Sequence, residues 1–135
     1  MALTPIIKGM ADGAEAIQAN FTAIGEIEKG TNANGTYIKF PDGTMICHNR
    51  VALSSLAITS SWGALYLSPA LSITYPATFV GEPPAVSPNM ENNTGDIATW
   101  YNVLSSTSSF DGYFGSAVAR TFPCRLSWMA IGRWK

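Results

Sequence analysis

The sequence predicts a mainly β protein: an antiparallel β-sandwich head preceded by a short N-terminal coiled-coil helix, assembled as a homotrimer. Three observations carry this expectation. Short β-rich runs recur between turns rich in Gly, Pro and Asn, one narrow apolar stripe at helical spacing stands near the start, and the closing run is apolar on both alternating sets. Residues 1–30 are read as the helical stalk and residues 31–135 as the head.

The stalk comes first. Asp12, with Glu15 three residues on, makes a capping-box-like start in which the aspartate accepts from the free backbone amides of the first turn. The apolar positions Met10, Ala14, Ile17, Phe21 and Ile24 follow in steps of four, three, four and three, the heptad step of a coiled-coil seam. Glu15, Gln18, Asn20, Thr22 and Glu26 between them are polar, and Gly25 and Gly30 weaken and then stop the helix. A helix packed on its own domain shows a wider apolar face than this one. Ala14 and Phe21 take the first seam position and Met10, Ile17 and Ile24 the second, where isoleucine disfavours parallel dimers, so three strands are expected. Two heptads are fewer than the three or four of a self-sufficient coiled coil. The helix therefore depends on an oligomeric head to hold its copies at high effective concentration.

The head opens on a hairpin. Thr36–Phe40 and Thr44–Leu53 flank Pro41-Asp42-Gly43, where proline presets φ and glycine accepts a positive φ. In the second run Met45, Cys47, Val51 and Leu53 share one face and His48 and Arg50 take the other. Further strands are expected at Ser61–Leu67, Leu71–Tyr75, Thr78–Val80, Ala85–Val86, Ile97–Leu104, Tyr113–Ala119 and Arg125–Trp134. Pro76, Pro83, Pro84 and Pro88 cannot donate to a ladder, which makes the middle of the chain edges and corners. Many short strands so punctuated argue for an antiparallel sandwich. In the last run Leu126, Trp128, Ala130 and Trp134 alternate with Met129 and Ile131. A strand apolar on both faces belongs between the core and a neighbouring subunit, or is buried on both sides within one chain.

Composition narrows the function classes. At 135 residues the chain holds one domain and a short appendage. Charged residues are 13% against 47% hydrophobic, with a formal net charge of −1, which lacks the basic footprint of a nucleic-acid binder and argues for surface buried between chains. No apolar run approaches the roughly 18 residues of a membrane span, and no charged-then-apolar signal layout opens the chain, so synthesis in the cytoplasm without membrane insertion is expected. Without a secretory route the Asn-x-Thr triplets at Asn20, Asn34 and Asn92 read as chance matches. Cys47 and Cys124, the only cysteines, read as buried thiols rather than a bridge.

No catalytic constellation emerges. Cys47 and His48 are adjacent on one strand and point to opposite faces, so they form no nucleophile–base pair. His48 is the only histidine, which leaves a His/Cys metal site short of ligands. The carboxylates Glu82, Glu91, Asp96 and Asp111 are scattered through turns, and "SPNMENNTGD" reads as a polar loop before it reads as a Ca²⁺ site. A non-enzyme without metal or cofactor is expected.

Several stretches resemble known proteins. The opening "IIKGMADGAEAIQANFTAI" is similar to the N-terminal helix of receptor-binding and lower-baseplate proteins of tailed phages, such as lactococcal phages, from low-GC Gram-positive hosts. "NGTYIKFPDGTMICH" and "SWMAIGRWK" resemble the head domain of prophage tail proteins of those hosts, and "ITYPATFVGEPPAV", "FDGYF" and "LSWMAIG" resemble H-type lectin and tail-fibre-tip sandwiches. The resemblance implies a homotrimeric adhesin at the virion tail tip or baseplate, with the helix docking on another baseplate protein and the head touching host cell-wall polysaccharide. The alternative is a purely structural baseplate or fibre-tip subunit. Related proteins carry a shoulder or β-prism neck between helix and head, for which Ile24 to Tyr37 leaves no room.

A sugar-binding surface needs an aromatic face for the C–H side of the ring and planar polar groups for the hydroxyls. Three clusters qualify: Trp62 with Tyr66; Trp100 and Tyr101 beside Asn102 and the Asn92–Asn93 loop; and Asp111 with Tyr113. Alternation sends Trp100 and Tyr101 to opposite faces, so one of the two belongs to the core. The lectin-like resemblance implies a site near loops between subunits, which favours Trp100, Asn93 and Asp111. The candidate saccharide-binding set is Trp62, Asn93, Trp100, Asp111 and Tyr113, with Arg120 as a weaker candidate.

Overall fold

The computed structural model describes residues 17, 20 and 25–135. Of the expected seam, Ile17 has helical backbone, as does Asn20; Met10, Ala14, Phe21 and Ile24 lie outside the described residues. From Glu28 the chain forms β1 (Glu28–Asn32), β2 (Gly35–Lys39), β3 (Thr44–Ile58), β4 (Ser60–Trp62), β5 (Leu65–Leu67), β6 (Leu71–Thr74), β7 (Ala85–Glu91), β8 (Thr99–Ser105), β9 (Ser109–Ser116) and β10 (Arg120–Arg133). All pair antiparallel, in two sheets.

The first sheet runs β1-β2-β3-β10-β7. Its spine is the long pair β3 and β10, which runs from Arg133↔Thr44 to Arg120↔Ile58 with one register shift between Cys124 and Phe122. In the second sheet Gly115 pairs with both Leu67 and Thr99, and Asp111 with both Ser72 and Leu104. Strands β5 and β6 therefore follow one another along one edge of β9, with β8 on its other edge and β4 outside β5.

Alternation decides what lies between the sheets. Phe122, Cys124, Leu126, Trp128 and Ala130 of β10, Met45, Cys47, Leu56 and Ile58 of β3, and Phe110 and Phe114 of β9 are buried. Tyr75 and Phe79 close the same core from the loop after β6. The aromatic rings interlock: Phe110 lies 5.5 Å from Trp128 across the sheets and 5.9 Å from Tyr75, and Trp100 meets Phe114 edge-on at 5.0 Å. A Cβ at Gly112 would stand 2.5 Å from the Trp100 ring, so the Asp-Gly pair that reads as a turn is a strand whose missing side chain is replaced by indole.

The two thiols are part of this core and unbridged. Burial pushes Cys47 up from the usual 9.0 to about 11 and raises Cys124 as well. A raised thiol pKa stabilises the fold fully below the unfolded value and is lost as pH climbs through the folded one. Denaturant midpoints measured across pH are therefore expected to hold up to about 9 and to fall between about 9 and 11. Native protein at pH 8 should resist thiol alkylation, and denatured protein should take up two labels; rapid native labelling would show that the core opens.

Two expectations are corrected, and one of the two alternatives for the last strand is set aside. Glu28–Gly30, assigned to the stalk, form the first half of β1, and Gly30 stops no helix: it lies under the Tyr37 ring, which a Cβ there would meet at 2.3 Å. Thr78–Val80 is not a strand, although Phe79 N–H donates to Thr107 O and Val80 N–H to Arg133 O, tying that loop to both sheets. The last strand is not buried on both sides within the chain, since Met129 and Ile131 are 46% and 45% exposed on its outward face.

The sandwich has two distinct poles. At one, Trp134 N–H donates to Gly43 O, its indole N–H donates to Phe40 O at 2.7 Å, and Arg133 Nη2 donates to Asp42 O. Gly25, where the chain comes into the head, faces Pro41 at this same pole. At the other, β3 ends at Ile58, β9 turns into β10 over three residues, and the β4–β5 hairpin tip reaches past Ser116. A 15-residue strand at about 3.3 Å per residue separates the poles by roughly 40–50 Å.

Candidate functional site

The outward face of the second sheet carries the aromatic side chains that its inward face does not use. On β9, Phe110, Gly112 and Phe114 point in, which sends Asp111 and Tyr113 out. Tyr113 stands opposite Tyr101 of β8. Across β9, Leu67 pairs with Gly115, and a Cβ on Gly115 would sit 2.6 Å from the Tyr101 ring and 3.1 Å from Leu67. The glycine leaves room for Tyr101 to lie across the strand toward β5. The β4–β5 hairpin then turns through Gly63 at φ +59° and sets Trp62 opposite Leu65.

The result is an open groove of about 580 Å³ lined by Trp62, Leu65, Leu67, Tyr101 and Tyr113. Trp62 is 67% exposed and Tyr101 41%. Large aromatics left this open on a strand face cost solvation unless something covers them. The groove lies at the pole away from Gly25 and Trp134. Its lining holds no Asp, Glu, Lys, Arg or His; on the same face Asp111 stands two residues from Tyr113, its Oδ1 buried without a hydrogen-bond partner among the described residues.

The five sequence-proposed residues fall into three places. Trp62 and Tyr113 line the groove, and Asp111 shares its face. Trp100 points inward onto Phe110 and Phe114, and Tyr101, its neighbour on the other face, takes the exposed place. Tyr66 likewise packs against the core while Trp62 stays outside. Asn93 lies elsewhere, in the loop between β7 and β8. That loop closes on itself: Asn92 Oδ1 accepts from the backbone N–H of Thr94 and Gly95, and its amide donates to Asp96 O. The Asp96 side chain, 5% exposed, sits 2.8 Å from Arg120 Nε, whose N–H is aimed off the oxygen, so charge rather than an aligned hydrogen bond holds the pair. Arg120 is thereby a structural partner of the loop. Among the described residues no three His, Cys, Asp or Glu side chains gather.

Leu65, Leu67 and Tyr101 were not in the sequence-proposed set. Period-two counting from Tyr113 through its antiparallel partners would have reached Tyr101; the β4–β5 turn at Gly63 was hidden because Ser61–Leu67 reads as one continuous strand.

The fold has solved counterparts. An N-truncated R1-type pyocin tail fibre superposes with a TM-score of 0.63 at 15% identity, over 92% of this chain and 97% of that one. A C-terminal fragment of the P. aeruginosa R1 pyocin fibre gives 0.61 at 15% identity, over 98% of this chain and 35% of that one. An N-truncated R2-type pyocin tail fibre gives 0.57 at 18%, over 98% and 49%. The chain thus spans half or less of the two longer fragments, and at these identities the likeness is one of fold. No protein-family model and no curated protein matches the sequence.

Proposed function

We propose, from the fold shared with phage-tail-like fibres, that this chain is a tail-fibre receptor-binding module that adheres to host cell-surface saccharide as a homotrimer, without cleaving it. The observation that carries the reading is the groove of Trp62, Leu65, Leu67, Tyr101 and Tyr113 at the pole remote from Gly25. A stalk joined at Gly25 holds that groove toward the target. Aromatic rings supply the flat apolar surface that a sugar ring covers with its C–H face, and the Asp111 carboxylate and tyrosine hydroxyls supply hydrogen bonds to its hydroxyls. One such shallow site binds weakly; three on one particle bind through avidity.

The half-exposed Met129 and Ile131 on the first sheet, with the sparse N-terminal seam, support assembly of three copies. Attachment of the stalk to another tail protein, and a low-GC Gram-positive host, are proposals that rest on the sequence motifs. The test is sedimentation of purified protein with cell walls from a panel of Gram-positive and Gram-negative bacteria, alongside light scattering. Retention on one class of wall by a particle of three chains supports the reading. A particle that binds no wall, yet docks on a tail protein, points to the structural-subunit alternative; release of reducing sugar would make it an enzyme.

A further inference from the structure

A second groove lies on the first sheet, where β3 and β10 lose register. Phe122 pairs with Leu56 but Cys124 with Leu53, so Ser54 and Ser55 stand opposite the single residue Pro123. Proline has no N–H to lose from the ladder, and a bulge of this kind spreads the strands and re-aims side chains. The opening, about 360 Å³, is lined among others by Ser54, Glu91, Asn93, Pro123 and Arg125.

Charge distinguishes this groove from the aromatic one. Glu91 Oε1 is 3.2 Å from Arg50 Nη2, and Asp96 is held by Arg120. Both nearby carboxylates are thus matched, whereas Arg125, exposed on the outward face, has no ion pair among the described residues. Three arginines against two carboxylates leave a local charge of +1 on a chain whose formal net charge is −1. Beside the free guanidinium, the Asn93 amide and Ser54 hydroxyl line the same opening as further donors. No aromatic ring lines it, so the groove offers no shelf for a sugar ring.

We infer that the bulge groove is a second binding site, selective for an anionic group carried by a glycopolymer, a phosphodiester or a carboxylate, with Arg125 as the residue that reads the charge. A guanidinium fork matches either group with two parallel N–H···O contacts. The site lies on the sheet opposite the aromatic groove and stands independently of it.

The full-length chain, its Trp62→Ala variant and its Arg125→Gln variant are titrated calorimetrically with a glycerol-phosphate oligomer and an oligogalacturonate, at low and at physiological salt. At least one anionic oligomer is expected to bind, more weakly as salt rises. Arg125→Gln should cost about tenfold or more in affinity, Arg125→Lys should restore part of it, and Trp62→Ala should leave it unchanged. Asn93→Ala, in a loop held by its neighbours, should give a smaller loss. Binding of only one oligomer identifies the anion as phosphodiester or carboxylate. If neither binds, or if Arg125→Gln changes nothing, the second site is overturned with no bearing on wall binding through the aromatic groove; if Trp62→Ala removes the binding, the second site is overturned and the oligomer belongs to the aromatic groove instead.

Discussion

Phe110→Ala is expected to destabilise the head by about 3–5 kcal/mol, which is a large part of what a domain of this size possesses. The ring is fully buried and touches both sheets: it lies 5.5 Å from Trp128 on the first, 5.7 Å from Trp100 on its own, and 5.9 Å from Tyr75 of the closing loop. Truncation loses the transfer energy of the ring and leaves a void walled by aromatics that are themselves fixed by neighbours, so the site cannot collapse around it. Urea unfolding followed by tryptophan fluorescence reads the effect as a lowered midpoint. Val118→Ala, at an exposed turn position, serves as the control and should stay within about 0.5 kcal/mol of the parent. A Phe110→Ala loss below about 1 kcal/mol would show that the two sheets do not share this core.

Removing both Trp62 and Tyr101 is the second large effect. Each ring contributes roughly 1.5–3 kcal/mol if a sugar covers it. The double Trp62→Ala, Tyr101→Ala variant should therefore lose at least about a hundredfold in wall binding per site. In a trimer the loss compounds, because avidity multiplies site affinities. Both side chains are outward and exposed, so the thermal midpoint should move little. Trp100→Ala provides the contrast: its ring is in the core against Phe110 and Phe114, and the variant should lose stability before it loses binding. Wall retention unchanged in the double variant would remove the aromatic groove from the proposed function.

How much of this was legible in the sequence depends on where the information sits. The Pro41-Asp42-Gly43 hairpin was readable because turn chemistry and alternation agree locally; Gly43 has φ +98° and Lys39 pairs with Met45 as the turn requires. Strand β10 was readable from its dense apolar run. Strand β1, EKGTN, was not, because nothing in it alternates; it is held by Tyr37 lying over Gly30 and by the edge of β2, neither visible locally. The first half of β9 was missed for the opposite reason. Asp111-Gly112 is a strong turn signal, overruled here by the Trp100 indole that occupies the glycine's empty side, a contact between strands. For the site, the aromatic residue types were legible. Which of Trp100 and Tyr101 faces out depends on the position of β8 against β9, and the neighbours Leu65 and Leu67 on the tight turn at Gly63. Asn93 was separated from the aromatics because its loop is fastened to Arg120 at the start of β10.

The clasp formed by Trp134 with Phe40 and Gly43 has a practical use. It fixes the last residues beside Gly25, at the end of the sandwich away from Trp62, so a biotin or affinity handle joined after Lys135 would anchor the molecule to a sensor chip with its aromatic groove turned to the flow. Randomly coupled protein would present a mixture of faces. Comparing the fraction of ligand-competent molecules on the two kinds of chip would turn the direction of one indole N–H into a measurable orientation.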